Sequence, residues 1–282
     1  MLKLFSPAKL NLFFRVLGKR EDGFHELASL FQAIDFGDIL HYSLSKDDVF
    51  TCSSNHIPLD DSNLVIRALK LFRQKTGIQA CFKIHLEKYI PTEAGLGGGS
   101  SNAATTLWAL NKLTGQPASL DDLIKWSADL GCDITFFLSE GTAYCRGRGE
   151  IIEPLPLIKS ESCTLVKPDW GLSTASVFKN FDMSLSEFTD PDETLDQFLS
   201  GKPSYFNDLE EAANKTDERL SDLKQKLYEC GFHTVTMTGT GSSFFCYGQG
   251  NAPKELFQKN IRFISRKPNQ WYDLPRIILD NK

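Results

Sequence analysis

Four short stretches of the chain bring together groups that could do chemistry. In AGLGGGSSNAATTLWAL (94–110), Gly95, Gly97, Gly98 and Gly99 lead into Ser100 and Ser101 at the head of a helix-like run. Glycines let a ligand reach the backbone, and the free N–H groups of a helix start attract an anion. No acidic residue occupies that first turn to neutralise it, and the two serines offer capping hydroxyls. A phosphate would fit here, and so would a plain loop. In SPAKLNLF (6–13), Lys9 and Asn11 share one face of a strand. They are either a solvated face or a cation and an amide aimed into a cleft. In DLGCDITFFL, Asp133 stands just past a helix end in apolar company. It is either a turn residue or a base that takes a proton from an attacking hydroxyl, with Lys9 holding its charge. In TMTGTGSSFF, Thr238 to Ser242 form either a hairpin turn or a second backbone nest for phosphate.

The elements that must position these groups are readable from periodicity. Leu10, Leu12, Phe14 and Val16 alternate with Lys9, Asn11, Phe13 and Arg15, which predicts a half-buried strand. A turn at Asp22-Gly23 and a second strand over 27–34 follow. Asp61-Ser62 is expected to cap a helix with Leu64, Val65, Ala68, Leu69 and Phe72 on its apolar face, ended by Gly77. Phe82, Ile84 and Leu86 alternate in a strand before the glycine loop. Helices are predicted from the loop to about Leu113, from Ser119 to Leu130 and over 208–229. Short strands are expected at 142–145 and 165–166, and strands flank TGTGSS. Residues 182–206 read as surface excursions or short helices. The plan is α+β, with a boundary near residue 150.

Several function classes fall away. The glycine loop is not a Walker A motif, because no Lys-Ser/Thr follows the glycines. A Rossmann fingerprint is disfavoured too: the strand before the loop alternates instead of running apolar throughout, and Tyr89 to Glu93 separate the two. A net charge of −5 argues against non-specific nucleic-acid binding. Seven cysteines without a CxxC pair read as free thiols, and five histidines without HExxH spacing argue against a zinc site. Pro7 and Lys9 interrupt any signal-peptide core, and no apolar run is long enough to span a bilayer. A cytoplasmic protein with no membrane or nucleic-acid partner is expected.

In their order, SPAKLNLF, DGFHEL (22–27), DSNLVIRA (61–68), the loop at 91–104, GCDITFF (131–137) and MTGTGSS (237–243) resemble the GHMP kinase superfamily. The likeness covers most of residues 1–150 and thins beyond. It implies two domains, a ribosomal-protein-S5 domain 2-like one (1–150) carrying the ATP loop and a ferredoxin-like one (151–282), with the active site between them. It also implies ATP and Mg²⁺ as cofactors. The implied acceptor is the 2-hydroxyl of 4-diphosphocytidyl-2-C-methyl-D-erythritol, in non-mevalonate isoprenoid synthesis, and the working form a monomer or weak homodimer.

By the same resemblance, Asp133 matches the catalytic base and Lys9 its partner. Pro91, Gly95, Leu96, Gly97, Gly98, Gly99, Ser100 and Ser101 match the triphosphate cradle, and Asn63 and Lys88 fall near the adenine. Asn11 matches a residue by the erythritol, and Phe24 and His25 the pair that recognises cytosine. Phe178 matches an aromatic across the base, and Gly239, Thr240 and Gly241 lie on the substrate side. Phe24 stands where Tyr is usual, Cys132 where Ala is common, and Ile134-Thr135 where Val-Pro is usual. Arg146 and Arg148 are charges the pattern does not call for, and they either touch the substrate diphosphate or lie at the surface. Homoserine- or mevalonate-type kinases and a non-catalytic nucleotide-binding protein on the same fold are the alternatives.

Overall fold

The computed structural model describes residues 1–159, 162–185 and 189–275. Its spine is a pair of long antiparallel strands, β1 (Leu2–Lys19) and β2 (His25–Ser45). β3 (Val49–Cys52), α1 (Leu64–Thr76), β4 (Cys81–Glu87), α2 (Gly98–Leu113), α3 (Leu120–Ser127), α4 (Cys132–Phe137), β5 (Thr142–Gly147) and β6 (Ile151–Pro154) follow. Next come β7 (Cys163–Lys167), α5 (Thr174–Lys179), α6 (Pro191–Leu199), β8 (Phe206–Asn207), α7 (Glu210–Thr216), α8 (Arg219–Glu229), β9 (Phe232–Met237), β10 (Phe244–Gly248) and β11 (Phe257–Ile261). One sheet runs β3-β4-β2-β1-β8, with β5 and β6 added along the first half of β2. The other runs β11-β7-β10-β9.

Three apolar clusters fill the layers. One lies between the first sheet and α1 to α4 and holds Phe5, Tyr42, Phe72, Leu107 and Phe136. A second lies between the sheets, where Leu10, Leu12 and Leu30 meet Leu165 and Phe245. The third lies beyond the second sheet, where Val166 and Phe244 meet Leu220, Leu223 and Leu227 of α8. Alternate residues of β7 and β10 therefore serve different clusters, as the two-residue period of a strand requires. Among the described residues, no helix is long and apolar enough to cross a membrane, and the seven cysteines are free thiols.

Sequence periodicity misplaces several details. The polar face of β1 is not half-exposed: Lys9, Asn11 and Arg15 are buried, because the second half of the chain folds over them. β2 extends well past Ile34. Asn63, not Asp61 or Ser62, caps α1, its Oδ1 accepting from Val65 N at 2.9 Å. The second helix after the loop stops at Ser127. The 208–229 helix is broken at Asp217, whose carboxylate accepts from Arg219 N at 3.1 Å and turns the chain. Asp133 follows the end of α3, as expected, but itself lies in the first turn of a further short helix, α4. Within 182–206, α6 buries Leu195 and Phe198 in the second cluster, while 186–188 fall outside the described residues.

One buried carboxylate ties these elements to the glycine loop. Asp38 of β2 accepts from the backbone N–H groups of Tyr89 and Ile90, both at 2.7 Å, just before the loop. Beyond the loop it accepts from Asn102 Nδ2 of α2 at 2.9 Å, and Lys88 Nζ closes on it at 2.8 Å. Breaking such a pair leaves a buried cation and several donors unanswered, at about 3–5 kcal/mol. Asp38→Ala is therefore expected to lower the urea unfolding midpoint by that equivalent, with the denaturant slope unchanged.

Candidate active site

Lys9 sits at the floor of a cavity of about 1110 Å³ where β1, the glycine loop and α4 meet. It is 3% exposed, and its backbone N–H donates to Leu96 O at 3.0 Å. Its Nζ donates to Asn11 Oδ1 at 2.5 Å and lies 3.7 Å from Asp133 Oδ2 and 4.8 Å from the centre of the Phe31 ring. Asn11 is locked in turn, donating through Nδ2 to Ser29 Oγ at 2.9 Å and through its backbone to Thr238 Oγ1 at 3.0 Å. Burial pulls the Lys9 ammonium below its ordinary 10.5, and Asp133 opposes that pull. Burial also pushes the thiol of Cys145, beside the pair, well above its usual value. The Asp133 side chain is 35% exposed and opens to the cavity.

The glycine loop shows why its glycines are needed. Gly97 caps α2 at φ 68°, and a Cβ there would come within 3.1 Å of Lys9 Cγ. Gly95, at φ 71°, lies so close to the β9–β10 hairpin that a Cβ would stand 2.0 Å from Thr238 O. Among the described residues no side chain caps α2, so its first N–H groups open to the cavity at Gly97, Gly98 and Gly99. The serines do not act as the sequence reading expects. Ser100 and Ser101 lie inside the helix, and Ser101 Oγ bonds Ser6 Oγ at 2.7 Å, away from the cavity. The TGTG stretch is both of its readings at once: it turns β9 into β10, and Gly239, Thr240 and Gly241 line the cavity. Thr240 also meets Thr174 of α5 at 3.0 Å through their hydroxyls.

The other end of the cavity is aromatic. His25 stacks on Phe178 at 5.0 Å and 22°, with Phe181 edge-on at 5.8 Å. Burial, followed by Lys19, lowers the His25 pKa from its ordinary 6.5. Phe24 is 54% exposed, with the Arg148 guanidinium 5.0 Å from its ring centre.

Asn63 and Lys88 line the cavity with their polar atoms engaged. The Asn63 amide caps α1 and donates to Pro58 O, and Lys88 donates to Asp38 and Ile90 O. Pro91 and Leu96 line it as well. Asn11, Ser100 and Ser101 are the sequence-predicted residues that stay behind its wall. Sequence reasoning missed Glu93 and Asp38, and singled out Arg148 without giving it a place in the site. The CRGRGE run was a signal for Arg148, whereas nothing marked a lone Asp in β2 as the anchor of a loop fifty residues on.

Residues 63–141 match the GHMP kinases N terminal domain family. Over 278 residues the chain is 49% identical to 4-diphosphocytidyl-2-C-methyl-D-erythritol kinase of Protochlamydia amoebophila (strain UWE25), covering 98% of this chain and 95% of the relative. The crystal structure of a 4-(cytidine 5'-diphospho)-2C-methyl-D-erythritol kinase superposes with a TM-score of 0.75 at 32% identity, over 88% of this chain and 91% of that one. A homoserine kinase from Cytophaga hutchinsonii superposes with a TM-score of 0.69 at 16% identity, over 94% and 95%, and shares the fold alone.

Because the loop and hairpin touch backbone to backbone at Gly95, Gly95→Ala must push them apart. ATP affinity, measured by calorimetry, is expected to fall at least tenfold, or about 1.4 kcal/mol. Unchanged affinity would show that the loop absorbs the methyl group without moving.

Proposed function

We propose that this chain, which belongs to the 4-diphosphocytidyl-2-C-methyl-D-erythritol kinase family of GHMP kinases, transfers the γ-phosphoryl group of ATP to the 2-hydroxyl of that cytidyl alcohol. The observation that carries the chemistry is the buried Lys9 ammonium 3.7 Å from the Asp133 carboxylate, beside an uncapped helix start. Phosphoryl transfer asks for positioning and charge stabilisation more than for covalent help. The N–H groups at Gly97 to Gly99 hold the triphosphate. Asp133, open to the cavity, takes the hydroxyl proton, and Lys9 steadies Asp133 and the charge on the moving phosphoryl group.

Asn11 fixes the Lys9 ammonium, and Asn63 and Lys88 border the adenine. Thr240 and its neighbouring glycines close the substrate side. At the aromatic end, a neutral His25 carries one donor and one acceptor, as a cytosine edge requires, and Phe24 and Phe178 supply apolar faces. This assignment favours the cytidyl alcohol over homoserine or mevalonate, which have no base to stack.

Among the described residues, no group of three or more His, Cys, Asp or Glu could hold a metal ion. In our reading Mg²⁺ would accompany ATP and neutralise the charge of its phosphates. The units 1–150 and 151–282 supply the two walls of the cleft, and the enzyme works in the cytoplasm as a monomer or weak homodimer.

Turnover with the cytidyl alcohol, against homoserine and mevalonate as controls, tests the assignment. In that assay Asp133→Asn should lower kcat by at least about a hundredfold while ATP still binds, as loss of a general base requires. Near-normal turnover would remove Asp133 from its role.

The alkaline limb of kcat/KM should lie below 10.5, since burial makes Lys9 lose its proton early. Lys9→Arg should move that limb out of range, because guanidinium does not titrate there. Stability carries the matching sign. Between the lowered folded value and 10.5 the unfolded chain binds more protons at Lys9, so this residue's contribution rises with pH across that window.

A further inference from the structure

After β11 the chain doubles back across the first sheet. Arg262 N donates to Asp35 Oδ1 at 2.8 Å, and Ile264 N donates to Ala33 O at 3.0 Å. The strap then meets both elements that carry the Lys9–Asp133 pair. Arg266, 5% exposed, donates through Nε to Ser139 O at 2.7 Å and through Nη2 to Leu138 O. Those carbonyls directly follow Phe137, the last residue of α4. Through Nη1, Arg266 also donates to Gln270 O at 2.7 Å, which folds the strap on itself. Its guanidinium lies over Trp108 and Trp271 at 5.2 and 5.6 Å. Trp271 Nε1 reaches the other element, donating to Phe5 O of β1 at 2.7 Å, four residues before Lys9.

A buried cation held by carbonyls just past a helix end suits the negative pole of that helix. α4 has only six residues, so a shift at Leu138 is felt at Asp133 in its first turn. We propose that the 262–272 strap braces the Lys9–Asp133 separation from outside the cavity, and that Arg266 is a positioning residue for phosphoryl transfer. This rests on the reading of Asp133 as the base.

The test uses Arg266→Lys, which keeps the charge and loses the planar fork, and Trp271→Phe, which keeps the ring and loses the bond to Phe5. Misplacing a catalytic group slightly is costly, so kcat of Arg266→Lys should fall about tenfold. KM for ATP and for the cytidyl alcohol should hold within about twofold.

A second readout separates positioning from plain stability. Lys9 is faced by Asp133 from α4, by Cys145 from β5 and by Asn11 on its own strand, and Asp133 is the main support of its charge. Loosening the pair should move the alkaline limb of kcat/KM to lower pH. Trp271→Phe should shift kcat and the limb the same way, and less.

If kcat and the limb stay in place while Tm drops, the strap is only structural and the proposal fails. Should Arg266→Lys not unfold cooperatively, Trp271→Phe decides by the same two readouts. Asp133→Asn run alongside keeps the two ideas apart. An inactive Asp133→Asn with an unaffected Arg266→Lys overturns the brace alone, whereas an active Asp133→Asn overturns the base.

Discussion

An ammonium almost out of water must be answered by its surroundings, and much of this molecule is arranged around that demand at Lys9. Asn11 answers with its carbonyl oxygen, Asp133 with its carboxylate and Phe31 with its ring face. Each answer recruits something further away. Asn11 is held by Ser29 of β2 and by Thr238 of the β9–β10 hairpin, so the second sheet must meet the first here. The Phe137 ring and the lysine stem crowd the place a Cβ would take at Gly97, and the loop backbone lies down beside them. The uncapped helix start and the charged pair are thus neighbours by packing.

The cavity has two ends built on different physical terms. The loop end is made of backbone: Asp38 pins the chain on both sides of the glycines, and Glu93 O accepts from Leu172 N and Ser242 N of the second half. The aromatic end is made of side chains at the start of β2 and on α5, with Phe24 largely in solvent. Polyphosphate is common to many substrates and needs a fixed cradle. In the function we propose, a base is distinctive and is met by rings and a histidine.

Much of this was legible in the sequence, and the rest fails for identifiable reasons. The helix over 98–113, the alternation in β4 and the apolar stripe of α1 follow from local spacing, and they appear as expected. The four chemical stretches do converge on one cavity. What local spacing cannot show is what lies on top of a strand. The polar face of β1 reads as solvated because the hairpin that covers it comes more than two hundred residues later. Ser101 reads as a cap because its partner, Ser6, lies far away in sequence. Asp38 and Arg266 were invisible for the same reason: each is one polar residue whose meaning comes from distant backbone groups. The move of the α1 cap to Asn63 is a smaller miss, in which three neighbouring polar residues each had the chemistry for the post.

β1 contributes Leu4 and Phe5 to the first cluster, Ala8, Leu10, Leu12 and Phe13 to the second, and Phe14 and Val16 to the third. The strand that carries the reactive lysine is thus also the strand that every core is built upon. A truncation at one of its core positions therefore costs packing in the cluster that position serves. The turn at 20–24 holds no core residue. The two stretches therefore differ in what a change costs the fold. In the function we propose, a change in β1 would touch fold and chemistry together, whereas a change at the rim could alter the acceptor and leave the fold standing.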